Sequence, residues 1–492
     1  MPWYQVALIS VYLLILLALA VYGFHRTCLV WLFYRTKKDK PEPQRIYDDA
    51  ELPHVTVQCP LFNEMYVAER LIEAVAKLDY PRDRLEIQVL DDSTDETQGI
   101  CRKVVEKLTG EGVDIVYIHR DDRTGYKAGA LENGLEVAKG ELVMVFDADF
   151  VPKPDMLRHM VHFFSDEKVG MVQARWGHIN RDYSRLTQVQ SIMLDGHFVI
   201  EHTARHRSGR FFNFNGTAGM WRAEAIRDAG GWQHDTLTED MDLSYRAQLN
   251  GWEFVYLPDI VTPAELPVEM NSFKSQQFRW AKGSIQVALK LLPRILNSDV
   301  PPRIKWEAFF HLTNNFAYPL LLLLSLLLVP NLIVRTQHGW REVLLVDLPL
   351  FFGTTVSLIS FYIVSQREVG MPTGLGGLIR RLPLMLGVGI GLCVNQTRAV
   401  IEALLGKQTE FVRTPKHGVD GNKKAGGASS SWLKGYRGVK TLIPYFELLM
   451  AAYFTLAIVI AIRGGHYVAM PFLLLFFIGF AYVGALSVFQ RR

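Results

Sequence analysis

What most limits the folds open to this chain is where its apolar runs fall. Residues 5–24, QVALISVYLLILLALAVYGF, carry no charge and are long enough to cross about 30 Å of hydrocarbon. Four more runs, at 309–334, 343–365, 442–462 and 467–489, follow a long polar stretch. Such a pattern demands a polar domain held between membrane helices. Arg26, Arg35, Lys37, Lys38 and Lys40 come after the first run, whereas a secretory signal carries its basic residues before it. The positive-inside rule therefore puts the polar domain in the cytoplasm. A sixth segment, 379–405, opens with Arg380 and Arg381, and its unbroken apolar stretch lasts only from Leu382 to Val394 before Asn395, Gln396 and Arg398. It reads as an interfacial helix in the headgroup plane. Five crossings then keep the basic loop 406–441 and the terminal Arg491 and Arg492 in the cytoplasm, whereas six would move that loop outside.

Residues 271–296 space apolar side chains at helical intervals with basic residues between them, which predicts another interfacial helix. The expected organisation is an N-terminal membrane helix (1–35), a cytoplasmic domain (51–270), an interfacial helix (271–300) and a membrane region (305–492). That describes a multi-pass protein of a plasma or inner membrane, in contact with lipids. Net charge is only +3 and there is no basic stripe, so no nucleic acid partner is expected. Cys28, Cys59, Cys101 and Cys393 are scattered, giving neither a zinc spacing nor a disulfide framework.

Between 55 and 270 strand-like and helix-like runs alternate: HVTVQCP, MYVAERLIEAVAKL, LEIQVLDD, ETQGICRKVVEKL, VDIVYIHR, KAGALENGLEVA, ELVMVFDADF. A βαβ series of this kind builds an α/β domain on a mostly parallel sheet, and ligands bind beyond the carboxyl ends of its strands. Asp91 and Asp92 end one strand and precede Ser93 and Thr94. They either cap the next helix or accept a hydrogen bond from a base or ribose. Asp147 and Asp149 end the strand LVMVF. Two carboxylates one residue apart repel unless a cation lies between them. Mg²⁺ and Mn²⁺ favour such oxygen ligands, completed by substrate phosphates; the other reading is a solvated turn. Thr238, Glu239 and Asp240 suit a helix N-terminus, yet a transferase also needs a carboxylate to deprotonate its acceptor. Spacing leaves Glu239 and Asp240 equal. In QQFRW, Trp280 can stack on a sugar face and Arg279 can pair with a pyrophosphate, or both can anchor a helix among headgroups.

Taken in order, LDDSTD, FDADF, LTEDMDL and QQFRW resemble the D, D-x-D, T-E-D and Q-x-x-R-W motifs of membrane-bound processive family 2 glycosyltransferases, over roughly 55–300. HRDDRTGYKAGAL and GWEFVYL…ELP are similar to plant cellulose synthase-like mannan and glucomannan synthases and their bacterial relatives. The resemblance implies a GT-A-like mixed sheet with a helical membrane bundle of about five crossings. Asp92 or Asp91 would contact the base, Lys127 would lie near the nucleotide, and Asp147 and Asp149 would hold nucleotide and metal. Asp240 would be the base; Gln276, Arg279 and Trp280 would position pyrophosphate and acceptor. FNGTAG, with Asn215, Gly216 and Thr217, would line the acceptor path, or be an ordinary glycine turn. EFVRTPKHG resembles the gating loop F-x-V-T-x-K of cellulose synthases, aligning Phe411, Thr414 and Lys416, with Arg413 where that pattern has valine. GNKKAGGASSSW beyond it reads as a flexible linker.

The resemblance implies inverting, processive transfer from a nucleotide sugar, UDP-glucose or GDP-mannose, to a growing β-glycan, with Mg²⁺ or Mn²⁺ as cofactor and export across the membrane. A nonprocessive transferase acting on a lipid is the rival. A membrane receptor or transporter is disfavoured because the predicted spans hold almost no charge. No R-x-x-x-R regulatory domain follows the last helices, so regulation or an export path would come from a partner subunit.

Overall fold

The computed structural model describes residues 1–338, 344–409, 413–419 and 441–490; the motif position Phe411, the linker at 421–432 and Arg491–Arg492 lie outside them. Seven strands form one sheet: β1 (Val55–Leu61), β2 (Leu85–Asp91), β3 (Ile115–His119), β4 (Leu142–Val145), β5 (Val169–His178), β6 (Gly219–Arg222) and β7 (Glu253–Ala264). Their order is β3-β2-β1-β4-β6-β5-β7. β3 to β1 and β4 run parallel, β6 is antiparallel to both of its neighbours, and β5 pairs parallel with β7. The sheet is thus mixed. Every residue of β2 and β4 is buried, because helices cover both faces; β4 therefore reads as a continuous apolar run, and the polar Glu86 and Gln88 of β2 bond to Thr56 and Gln58 of β1.

The first helix, Trp3–Thr36, has 34 residues and at 1.5 Å per residue exceeds the hydrocarbon thickness by several turns. Its last turns reach the domain, where Leu29, Leu32 and Phe33 join the cluster of Leu186, Val189 and Ile192; His25 Nε2 lies 3.1 Å from Glu307, and Lys37 pairs with Glu368 at 3.0 Å. At the opposite end Gln5 meets His338 at 2.7 Å. Five described segments are long and apolar enough to cross a membrane: Trp3–Thr36, Pro302–Val334, Leu378–Leu404, Ile443–Arg463 and Tyr467–Phe489. The run expected at 343–365 forms the helix Leu344–Glu368.

Residues 378–404 differ from the sequence expectation. They meet the length and composition for a span, and form two helices, Leu378–Gly391 and Cys393–Leu404. The polar residues that suggested a headgroup-facing surface are spent on protein. Asn395 Nδ2 donates to the Lys274 carbonyl and Gln396 Nε2 to that of Gln277, both at 3.0 Å. Arg398 pairs with Glu402 at 2.7 Å. The Asn395 and Gln396 bonds, with Lys282 on Glu402 at 3.2 Å, dock Cys393–Leu404 onto the helix Met270–Asn297, which carries the QQFRW motif. That helix also hides much of its apolar stripe in protein: Val287, Leu291 and Ile295 pack with Tyr245, Ala308 and Leu312.

Candidate active site

The carboxyl ends of β1, β2, β4 and β5 open on a cleft of about 210 Å³. The helix Met270–Asn297 and residues 413–416 complete its lining. Asp92, Lys127, Asp147, Asp149, Asn215, Gly216, Glu239, Asp240, Gln276, Arg279, Trp280, Thr414 and Lys416 all line this cleft. Two residues singled out from the sequence do not. Asp91 is fully buried, and its carboxylate accepts from the Ser93 N–H at 2.9 Å and the Tyr117 hydroxyl at 2.7 Å. It shapes the turn, and Asp92 faces the cleft, gripped by Arg120 through Nε at 2.9 Å and Nη2 at 2.5 Å. Thr217 stands behind the cleft, its hydroxyl accepting the Asp147 N–H at 2.9 Å.

Asp147 and Asp149 leave β4 on a short turn, each beside a lysine. Lys127 Nζ donates to Asp147 at 2.5 Å and to the Gly216 carbonyl at 2.9 Å. Lys416 Nζ donates to Asp149 at 2.5 Å and to the Glu265 carbonyl at 2.9 Å. Burial pushes the Asp147 carboxyl upward, opposed by Lys127. No cluster of three His, Cys, Asp or Glu side chains capable of holding a metal occurs among the described residues. Asp147 and Asp149 bring two carboxylates to the cleft, hard oxygen donors of the kind a divalent ion accepts beside phosphates.

Glu239 and Asp240 begin the helix Glu239–Leu249. Thr238 does not cap it, as its hydroxyl makes no hydrogen bond to the helix. Asp240 Oδ1 accepts the Met241 N–H at 2.8 Å, and Oδ2 faces Gly216, where an added Cβ would lie 3.1 Å from it. Burial, reinforced by Glu239, pushes the Asp240 carboxyl up to about 8. A carboxylate poised near neutrality suits general base work. Glu239 is also pushed up by burial, with Lys127 and Arg279 opposing.

Arg279 reaches the cleft from the QQFRW helix and donates to the Thr414 hydroxyl at 2.7 Å. Burial brings its guanidinium down to about 10, which leaves it charged at neutral pH. Trp280 lies 6.4 Å from Trp176, centroid to centroid, at an interplanar angle of 56°. Three residues further on, Gly283 packs against Thr238: a Cβ there would meet Thr238 Cγ2 at 2.5 Å and Oγ1 at 2.6 Å. Gly283→Ala is expected to lower stability by about 1–3 kcal/mol through overpacking, despite alanine's better helix propensity; thermal unfolding measures it.

Reading the sequence missed several cleft residues: Glu64, Arg123, Trp176, Glu265 and Arg413. Glu64 and Trp176 follow the strand-end rule already used for the aspartates, as they sit at the carboxyl ends of β1 and β5. Burial pushes Glu64 up to about 8, and Arg413 opposes this at 2.8 Å. Arg123 stacks 3.3 Å over the Phe62 ring. The Glu265 carboxylate accepts the His417 and Val419 N–H groups at 2.8 and 3.2 Å, pinning the loop that brings in Thr414 and Lys416. Arg413, the departure from the gating-loop pattern, binds Glu64 and the Phe62 and Asn63 carbonyls.

A mixed sheet in this order, with a D-x-D turn at its centre opposite an acidic helix start, defines a GT-A-like domain, here joined to membrane-type helices. The family described as glycosyltransferase like family 2 matches residues 53–283. Similar relatives include glucomannan 4-beta-mannosyltransferase 2 of Arabidopsis thaliana, 43% identical over 55% of this chain and 52% of the relative. Glucomannan 4-beta-mannosyltransferase 7 of the same plant is 34% identical over 73% of this chain and 68% of the relative. The chain spans about half the length of the first of these. Among solved structures, a mannosyltransferase from Pyrobaculum calidifontis, in complex with GDP-Man and Mn²⁺, superposes with a TM-score of 0.56 at 22% identity, covering 81% of this chain and all of the other. The chain belongs to glycosyltransferase family 2.

Proposed function

We propose that this chain transfers mannose from GDP-mannose to the non-reducing end of a β-linked glycan, with inversion, and passes the growing polymer across the membrane that holds it. One observation carries the reading: Asp240, Arg279 and the pair Asp147 and Asp149 converge on a single cleft. The choice of mannose over glucose rests on the relatives named as glucomannan 4-beta-mannosyltransferases.

Asp147 and Asp149 would hold Mg²⁺ or Mn²⁺, which when bound neutralises the departing diphosphate. Lys127 and Lys416, each already on one of these carboxylates, bring further positive charge to the same place. Arg279 faces the leaving group with a planar, charged fork. Asp240 takes the proton from the acceptor hydroxyl as it attacks. Trp280 and Trp176 offer apolar ring faces for a pyranose, and Asp92 with the Arg123–Phe62 stack borders the place for the base. Trp280→Ala is expected to reduce polymer formation several-fold more than donor hydrolysis, measured as incorporated sugar against released nucleotide. Equal loss of both would leave Trp280 a helix anchor only.

The topology we favour has five crossings and a cytoplasmic catalytic domain in a plasma or inner membrane. The helix ends support it. Gln5 and His338 meet at one end of the bundle; Lys37 and Glu368 meet at the other. There too, Met270 N–H donates to Gln490 and Asn271 to the Ser487 carbonyl. Leu378 packs with Leu186 of the domain, and Cys393–Leu404 packs on Met270–Asn297, so that segment starts and ends on the domain side.

The test is donor turnover by purified protein in lipid with Mg²⁺ or Mn²⁺, offering GDP-mannose and UDP-glucose separately and digesting products with linkage-specific glycanases. Mannanase-sensitive polymer from GDP-mannose is the expected result. Product confined to the lipid extract would replace the polymer with a lipid acceptor.

A further inference from the structure

We infer that His197 and His202 are positioning residues for the transfer: they clamp the Asn215 side chain from both sides and so hold the 215–217 loop against Asp147, Lys127 and Asp240. The inference rests on the transferase reading above and extends it to residues outside every motif considered so far.

The hydrogen-bond pattern has one consistent assignment. His202 Nε2 lies 3.1 Å from the Asn213 carbonyl and 2.6 Å from Asn215 Oδ1. A carbonyl only accepts, so Nε2 carries the proton and Asn215 must present its oxygen to it. On the other side His197 Nδ1 lies 2.9 Å from the Glu201 carboxylate, which places the proton on Nδ1. His197 Nε2 is then left as an acceptor, and Asn215 Nδ2 donates to it at 3.0 Å. Both ends of the amide are consumed. Asn215 lines the cleft, and its side-chain amide is what fixes the loop.

The backbone explains how two residues of one helix reach one amide. His197 and His202 are five positions apart, which on an α-helix separates them by about 140°. Gly196–His202 is a π-helical turn, whose i→i+5 repeat returns them to one side. Their rings stand 4.3 Å apart. Gly196 lets this turn press against the membrane-side helix, where a Cβ would meet Phe361 at 2.5 Å. Beyond the turn, Glu201 continues to Arg205 at 3.4 Å, then to Glu307 at 2.9 Å. His202 is buried, and burial together with His197 and Arg205 keeps it well below the usual imidazole range, so it stays neutral as the assignment requires.

The loop so held touches the chemistry at each residue after the clamp. Gly216 has φ +79° and no Cβ, so it can face Asp240 at close range. Its carbonyl takes Lys127, and the Thr217 hydroxyl takes the Asp147 N–H. Letting this loop drift would misplace the acceptor relative to Asp240 and slacken the hold on Lys127 and Asp147, so donor and acceptor would lose their mutual alignment and water would compete better for the activated sugar.

The experiment compares His202→Phe, His197→Phe, Asn215→Ala and the double variant His197→Phe/Asn215→Ala in lipid with GDP-mannose and Mn²⁺, following incorporated sugar and released GDP together. Each single variant is expected to lose about ten- to a hundredfold in incorporation, with a larger share of hydrolysis and a smaller change in donor KM. The double variant should be no worse than Asn215→Ala alone, because His197 meets the loop through that amide. His202→Gln, whose amide N–H stands near Nε2, should recover most of the loss. Multiplying losses in the double variant, or normal incorporation by His202→Phe, would overturn the clamp. If His202→Phe does not fold, His197→Phe, partly exposed on the other side of the amide, decides the same question. A wild type that turns over no nucleotide sugar overturns the transferase reading and the clamp with it, whereas an active wild type beside normal single variants overturns the clamp alone.

Discussion

Asp240→Asn should abolish sugar transfer, by about 10³- to 10⁴-fold, the upper end of what a positioned base contributes, while GDP-mannose still binds. The substitution keeps size and the hydrogen bond from the Met241 N–H and removes only the ability to take a proton. Calorimetric titration of the donor separates binding from chemistry; transfer near the wild-type rate would remove Asp240 from the role. The pH profile gives a second reading. A base works deprotonated, and burial beside Glu239 raises the Asp240 carboxyl to about 8. Activity should therefore rise with pH and level off above that region, far above the range of an ordinary carboxylate. In Glu239→Gln the like charge is gone, so the rise should move to lower pH.

Arg279→Ala should cost about 10²–10³-fold in kcat, as loss of one preorganised charge at a leaving group does, with a smaller change in donor KM. The side chain is held in place by Thr414 at 2.7 Å and brings a fixed charge into the cleft. Arg279→Lys should recover only part of the loss, because an ammonium lacks the planar fork. Single-turnover kinetics with GDP-mannose would show whether the chemical step has slowed. A loss confined to KM would make Arg279 a donor-binding group only.

The motifs were legible in the sequence because strand ends and fixed spacings mark them: Asp92, Asp147, Asp149, Asp240, Arg279 and Trp280 all meet in the cleft. The contacts that cross long distances were not. Arg413 meets Glu64 across about 350 residues, and Glu265 holds the loop at 417–419 through backbone N–H groups, which carry no sequence signal. Asp91 and Asp92 look alike on paper; only the tertiary fold turns one toward Tyr117 and the other toward the cleft. The polar residues of 393–404 illustrate the same limit. Asn395 and Gln396 could have faced headgroups, and the helix Met270–Asn297 claims them instead. A π turn has no compositional mark, so the pairing of His197 with His202 was invisible to helical periodicity.

The helix that carries Arg279 and Trp280 is fastened to the last two membrane-type helices near its own start. Lys274 pairs with Glu447 at 2.6 Å and reaches Ser487 at 3.3 Å, and the neighbouring Asn271 and Met270 hold the final helix. Buried pairs of this kind resist separation because a stranded charge is costly. The leaving-group site is thereby surveyed from the bilayer as much as from the sheet. A thinner or thicker lipid film that tilts the 443–489 hairpin would swing this rod about Gly283, its close contact with Thr238, and alter the alignment of Arg279 with Asp240 without breaking a single bond. Bilayer thickness is then expected to shift the transfer rate through the Lys274–Glu447 link.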